Sequence, residues 1–195
     1  NAYAHHVLDD KQNNFKKVLP EFFAEQVNEA LKSEYNLDFL GLTREAKERE
    51  LESKLIENVR DFLLELGYGF CFIGSQYRLT LGEKEYFLDL LFYHRMLKCL
   101  VVIDLKVVEF IPEFAGKMNF YLEVVDDKLK QIDDKPSIGI ILCPTKNDIE
   151  VEYALRTTNK PIGVAKYNLT TELPDEFKGK LPTVAEIKAS LKHKL

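Results

Sequence analysis

A chain of 195 residues fits one ordinary domain with a modest addition, and 46% hydrophobic residues with only 7 prolines and 9 glycines exclude a wholly disordered, collagenous or low-complexity polypeptide. Twenty-seven Lys and Arg against 32 Asp and Glu leave a net charge of -5, so no global positive field advertises a nucleic-acid or anionic-membrane partner, and a local patch would have to hold either one. Cys71, Cys99 and Cys143 sit in apolar runs without a C-x-x-C pair, which argues against a disulfide framework or a structural zinc site and makes a reducing, cytoplasmic setting the expectation.

Residues 1–42 read as a helical appendage and linker. Pro20 precedes Phe22, Phe23, Val27, Ala30 and Leu31, the pattern of a short amphipathic helix, and Tyr35 to Leu42 has no sustained period and reads as a connecting loop. The first residue is Asn rather than Met, which gives the expectation of a piece cut from a longer protein with an upstream domain lost. No apolar run reaches the roughly 18 residues needed to span a bilayer, and residues 1–10 lack the hydrophobic centre of a secretory signal, so a soluble protein without a membrane partner is expected.

Thr43 is placed to cap one long helix in which Leu51, Leu55, Val59, Phe62 and Leu66 recur at three or four residues until Gly67. The texture then changes to β-branched and aromatic runs, giving strands over Phe70 to Leu79, Tyr86 to Tyr93 and Cys99 to Val108. Their turns are too short for anything but an antiparallel meander. A helix from Glu113 to Leu129, a strand from Ser137 to Cys143, a helix from Asp148 to Thr157 and a strand from Gly163 to Tyr167 follow. The order αβββαβαβ, with a helical crossover after the third strand, predicts an α/β (α+β) domain over 43–170 with a mixed central sheet flanked by helices. Residues 171–195 read as a tail whose short helix opens at Thr183 to Glu186.

Charges stand where a buried strand should have none. The run from Cys99 to Val108 is apolar except at Asp104 and Lys106, which, two apart, share one face. An ionised group there costs several kcal/mol unless it finds a partner, an ion or water. On the preceding strand Asp89 is the lone charge between Tyr86 and Tyr93. An antiparallel pairing can bring Asp89 and Asp104 together, although the register is not legible, and two close carboxylates are relieved by a divalent cation. Glu52, seven residues before Val59, lies at the edge of the helix's apolar stripe, whereas Glu57 points away. Two readings stand side by side: a mutual Asp104–Lys106 ion pair at a strand end, and a cation site of Asp89, Asp104 and Glu52.

The spacing from Asp89 through fourteen residues to Asp104-x-Lys106, after a helix carrying Glu, resembles the PD-(D/E)XK nuclease superfamily with its restriction-endonuclease-like core. Asp61 to Gly67, Phe87 to His94, Pro136 to Cys143, Val151 to Arg156 and Asn159 to Gly163 narrow the likeness to the C-terminal nuclease domain of the YhcG family, over about 36–167. The resemblance implies a metal-dependent deoxyribonuclease, expected to be an endonuclease, acting in DNA repair, restriction or mobile-element defence. Asp89, Asp104 and Lys106 would be catalytic. Glu52, Asp89, Asp104 and the carbonyl of Leu105 would hold Mg²⁺ or Mn²⁺, and Gln76, Arg78, Lys117 and Tyr121 would contact substrate. Family members carry an N-terminal domain thought to bind DNA, so its absence here is expected, and a homodimer is allowed for. Two departures are visible: Asp104 stands where Glu is usual, and Lys117 where Gln is usual. They motivate the alternative of a weak or inactive nuclease-fold module that binds DNA or a protein.

Overall fold

The computed structural model describes residues 11–169. Its strands are Gln12–Asn13 (β1), Glu34–Asn36 (β2), Phe70–Leu81 (β3), Lys84–His94 (β4), Cys99–Leu105 (β5), Ile138–Cys143 (β6) and Ile162–Asn168 (β7). Its helices are Phe15–Val18 (α1), Glu21–Ala30 (α2), Glu48–Glu57 (α3), Val59–Leu66 (α4), Pro112–Lys128 (α5) and Asp148–Arg156 (α6), with a single 3-10 turn at Asp38–Leu40.

One sheet runs in the order β1-β7-β6-β5-β4-β3, with β2 also on β7. The antiparallel meander β3-β4-β5 is joined to the parallel pairs β5-β6 and β6-β7, so the sheet is mixed, as the helical crossovers require. β5 is central and every one of its residues is buried, which is why its sequence is nearly continuous apolar rather than alternating. On one face Val101, Ile103 and Leu105 pack with Leu51 and Leu55 of α3 and Phe62 and Leu66 of α4. On the other, Val102 and Ile141 pack with Met118, Leu122 and Val125 of α5 and Val151 and Leu155 of α6. Helices start where the chemistry allows: Pro112 occupies the first turn of α5, and the Asn147 side chain accepts from the amides of Ile149 and Glu150 at 3.0 and 3.2 Å. Among the described residues, no helix is long and apolar enough to cross a membrane.

Three local expectations are corrected. The single helix from Thr43 is two helices beginning at Glu48, because the Asn58 side chain donates to the Lys54 carbonyl at 2.8 Å and its backbone leaves helical geometry. The stretch Tyr35 to Leu42, expected as a loop, begins in β2, which pairs in parallel with Lys166 to Asn168, while β1 pairs antiparallel with the same strand at Gly163 and Val164. Phe15, Phe23, Val27, Tyr35 and Leu37 therefore join the same core as α3 and α4. The third strand ends at Leu105, so Lys106 to Val108 lie beyond it. The helix expected at Thr183 lies outside the described residues.

Candidate functional site

Asp104 lies at the carboxyl end of β5, on the face with Val102, and is 2% exposed. Just past the strand, Lys106 is fixed by its backbone on both sides: its amide donates to Leu142 O at 2.8 Å, and the Tyr167 hydroxyl donates to its carbonyl at 2.7 Å. Its stem lies against Phe114, with Nζ 5.2 Å from the ring centroid. Nζ returns to Asp104, 3.2 Å from Oδ1 and 3.1 Å from Oδ2, and stands 3.6 Å from Oε1 of Glu48. A second ammonium, on Lys117 of α5, is 3.8 Å from Asp104 Oδ1. The Asp104–Lys106 ion pair is present, with more charge around it than one pair.

β4 pairs with β5 through Leu90–Ile103, so Asp89 and Asp104 are the next opposed positions, and their carboxyl groups interact directly. Asp89 Oδ2 accepts from the Leu105 amide at 2.9 Å. Leu88 and Leu90, two residues apart and expected on one face, pack into opposite cores, so the strand turns its side chains over at Asp89. Burial first and the Asp104 charge second push the Asp89 carboxyl up to about 7, against the opposing pull of the Leu105 amide and Lys106. Burial also pulls the Lys106 ammonium down, but Asp104, Glu48 and Asp89 outweigh it and its pKa is raised.

Glu52 does not reach the pair directly. The Gln76 amide lies between them, with Nε2 donating to Glu52 Oε2 at 2.8 Å and standing 3.5 Å from Asp89 Oδ1. Burial, opposed by this hydrogen bond and aided by Glu48, raises the Glu52 pKa. No group of three or more His, Cys, Asp or Glu side chains among the described residues is arranged to hold a metal ion, so the expected trio is, as it stands, a pair plus a carboxylate held one amide away. The pair nevertheless fits a hard divalent cation. Asp104 is almost wholly buried, the two carboxylates crowd each other, and Mg²⁺ is commonly bound by one or two carboxylates with water completing the shell.

The other expected residues separate. Leu105 adjoins the site, and its amide is the group engaged with Asp89. Arg78 pairs with Glu85 across the β3–β4 hairpin at 3.1 Å and makes no contact with either carboxylate. Tyr121 is buried on α5 under Lys117, whose Nζ is 5.2 Å from its ring centroid, so its ring face is already covered. Lys117 itself remains 45% exposed. Glu48 and Tyr167 were not foreseen. Glu48 is four residues before Glu52, a spacing that puts both on one side of a helix and could have revealed it. Tyr167 acts through the fold alone, and no local pattern marks it.

Compared with known proteins, the sequence matches the YhcG PDDEXK nuclease domain over residues 28–182. It is 39% identical over 148 residues to YhcG of Escherichia coli (strain K12), which is 76% of this chain and 39% of that protein, so the chain spans well under half the length of that relative. Similar solved structures include a repair endonuclease from Pyrococcus abyssi, at 16% identity and a TM-score of 0.43 over 65% of this chain and 47% of that one. Another is EndoMS in its dsDNA2 complex, at 15% identity and 0.44 over 68% and 47%.

Proposed function

The chain belongs to the YhcG PDDEXK nuclease-domain family, and on that premise we propose that it hydrolyses phosphodiester bonds of DNA as an endonuclease dependent on Mg²⁺ or Mn²⁺. The observation that carries this reading is the meeting of Asp89 and Asp104 at the end of β5 beside a buried lysine whose ammonium lies 3.1 Å from Asp104. Asp89 and Asp104 would hold the ion, with the Leu105 carbonyl beside them and Glu52 approaching through Gln76; oxygen donors favour Mg²⁺ or Mn²⁺ over softer metals. When bound, the ion supplies charge stabilisation to the phosphate and makes a water more acidic. Lys106, kept protonated by its carboxylates, serves as a donor to a phosphate oxygen or orients the attacking water rather than taking its proton. Its locked backbone limits its movement to the side chain. Lys117, half in solvent, can leave Asp104 for a backbone phosphate of the nucleic acid.

On this reading the protein would act in DNA repair, restriction or mobile-element defence, in the cytoplasm. The test is a digestion panel of linear, branched and single-stranded DNA with and without Mn²⁺ or Mg²⁺. Ion binding should be lost in Asp89→Ala and Asp104→Ala, and cleavage should require the metal and Lys106. Cleavage left unchanged by Asp89→Ala and Lys106→Ala would refute the catalytic reading.

A second reading has one observation in its favour: two ammonium groups already surround Asp104, as a nuclease-fold module retained for DNA or protein binding would have them. Retention of DNA without any divalent-ion binding at millimolar concentration would select it.

A further inference from the structure

Gln76 has an unusual backbone for a strand residue. Ser75 pairs with Leu90 and Tyr77 with Leu88, so Gln76 stands opposite Asp89, yet its φ is 45°, in the left-handed region that costs a residue with a Cβ. A register shift between Phe72 and Gly74 precedes it on the same strand. Among the described residues the other non-glycine residue with positive φ, Lys98, sits in the β4–β5 turn, where such geometry serves the chain reversal. No reversal needs it at Gln76. What the conformation accompanies is the side chain's place: one amide nitrogen stands between Glu52 of α3 and Asp89 of β4. A primary amide nitrogen carries two hydrogens and no charge, so it can face two carboxylates at once and separate them without neutralising either. Strain of this kind persists where the surroundings hold it, and it concentrates at functional sites.

We propose that Gln76 is a positioning residue whose amide docks the Glu52 carboxylate against the Asp89–Asp104 pair and thereby sets the affinity of that pair for a divalent ion. The inference rests on the metal-dependent reading above and gives it an order: α3 does not bring its carboxylate to the sheet unaided, and the β3 strand carries the link. It also reassigns Gln76 from an expected contact to DNA to a residue that acts through another side chain.

The experiment measures Mn²⁺ binding by calorimetry on the full chain, without nucleic acid, in wild type, Gln76→Ala, Gln76→Gly, Glu52→Gln and the double variant Gln76→Ala/Glu52→Gln. Gln76→Gly tolerates the left-handed backbone and so guards against a merely unfolded variant, which thermal unfolding checks. The expected result is an Mn²⁺ dissociation constant about tenfold higher in Gln76→Ala and Gln76→Gly, a charge-assisted hydrogen bond's worth, with no further loss when Gln76→Ala is added to Glu52→Gln. Wild-type affinity in a folded Gln76→Gly protein overturns the inference, as does full additivity in the double variant. A DNA KM raised by Gln76→Ala at unchanged Mn²⁺ affinity overturns it in favour of direct substrate contact. If wild type binds no Mn²⁺ at all, the parent reading fails and this inference with it.

Discussion

The Asp89 carboxyl offers a test with an uncommon sign: Asp89→Asn should stabilise the metal-free protein. In the fold this group is pushed from 3.8 up to about 7. Between those values the folded state holds a proton that the unfolded state has released, so the group's contribution to stability falls as pH rises through that window. A gap of about 3 pH units at about 1.36 kcal/mol each places the full penalty near 4 kcal/mol above pH 7. Asn carries no charge and still offers an oxygen to the Leu105 amide, which now donates to Asp89 at 2.9 Å. It also removes one of the charges that surround Lys106, but Asp104 and Glu48 remain within 3.1 and 3.6 Å, so 4 kcal/mol is a ceiling. For a chain of this size each kcal/mol moves the melting temperature by about 2–4 °C, so the rise at pH 8 in chelator is at most about 8–16 °C. The assay is thermal unfolding of both proteins from pH 4 to pH 8 in chelator, then with Mn²⁺. The difference should open as pH rises and vanish toward pH 4. An ion at ten times its dissociation constant should add about 1.4 kcal/mol to wild type and little to the variant. A variant less stable than wild type at pH 8 in chelator, or a gain independent of pH, would show that the carboxylates do not crowd each other and would remove the argument for an ion between them.

Asp104→Asn should have the opposite sign, because it strips the buried Lys106 ammonium of its nearest partner. Breaking such a pair costs about 3–5 kcal/mol, part of which is offset by relief at Asp89, and urea denaturation in chelator should find a net loss of about 2 kcal/mol. Tyr167→Phe removes the hydroxyl that donates to the Lys106 carbonyl at 2.7 Å and should cost about 1–2 kcal/mol by the same measurement. In a metal-dependent cleavage assay it should lower kcat severalfold at unchanged KM, since the binding surface is untouched.

How much of this was legible in the sequence follows from the length scale of each signal. Asp104 stands out because β5 is otherwise wholly apolar, and Lys106, just past the strand's end, is the next charge along the chain. The pairing of Asp89 with Asp104 was not legible: Leu88, Leu90, Leu91 and Phe92 are all apolar and all buried, so the alternation that normally fixes a register carries no contrast there. The meander and the crossover could be inferred from turn lengths. The small strands β1 and β2 could not, since two or three residues are too few to show a period, and their partner lies more than a hundred residues away. The break at Asn58 turns on one side-chain hydrogen bond inside an intact apolar stripe. Gln76 is the most instructive case. A left-handed backbone is advertised by Gly or Asn and here is taken by neither, so nothing short of coordinates reveals that this side chain faces Glu52.

The attachment of β1 and β2 to the outer edge of β7 has a consequence for biogenesis. Asn36 and its partner Asn168 are separated by about 130 residues, and a ribosome adding about 5–20 residues per second needs roughly 7–26 s to cover that span. Throughout that interval Phe15, Phe23, Tyr35 and Leu37 have no sheet edge to join, while the hairpins of β3, β4 and β5 close locally within microseconds of emerging. The carboxylate-bearing strands thus rest on local contacts, and the early-synthesised apolar segment meets its native sheet edge only when the last described strand arrives.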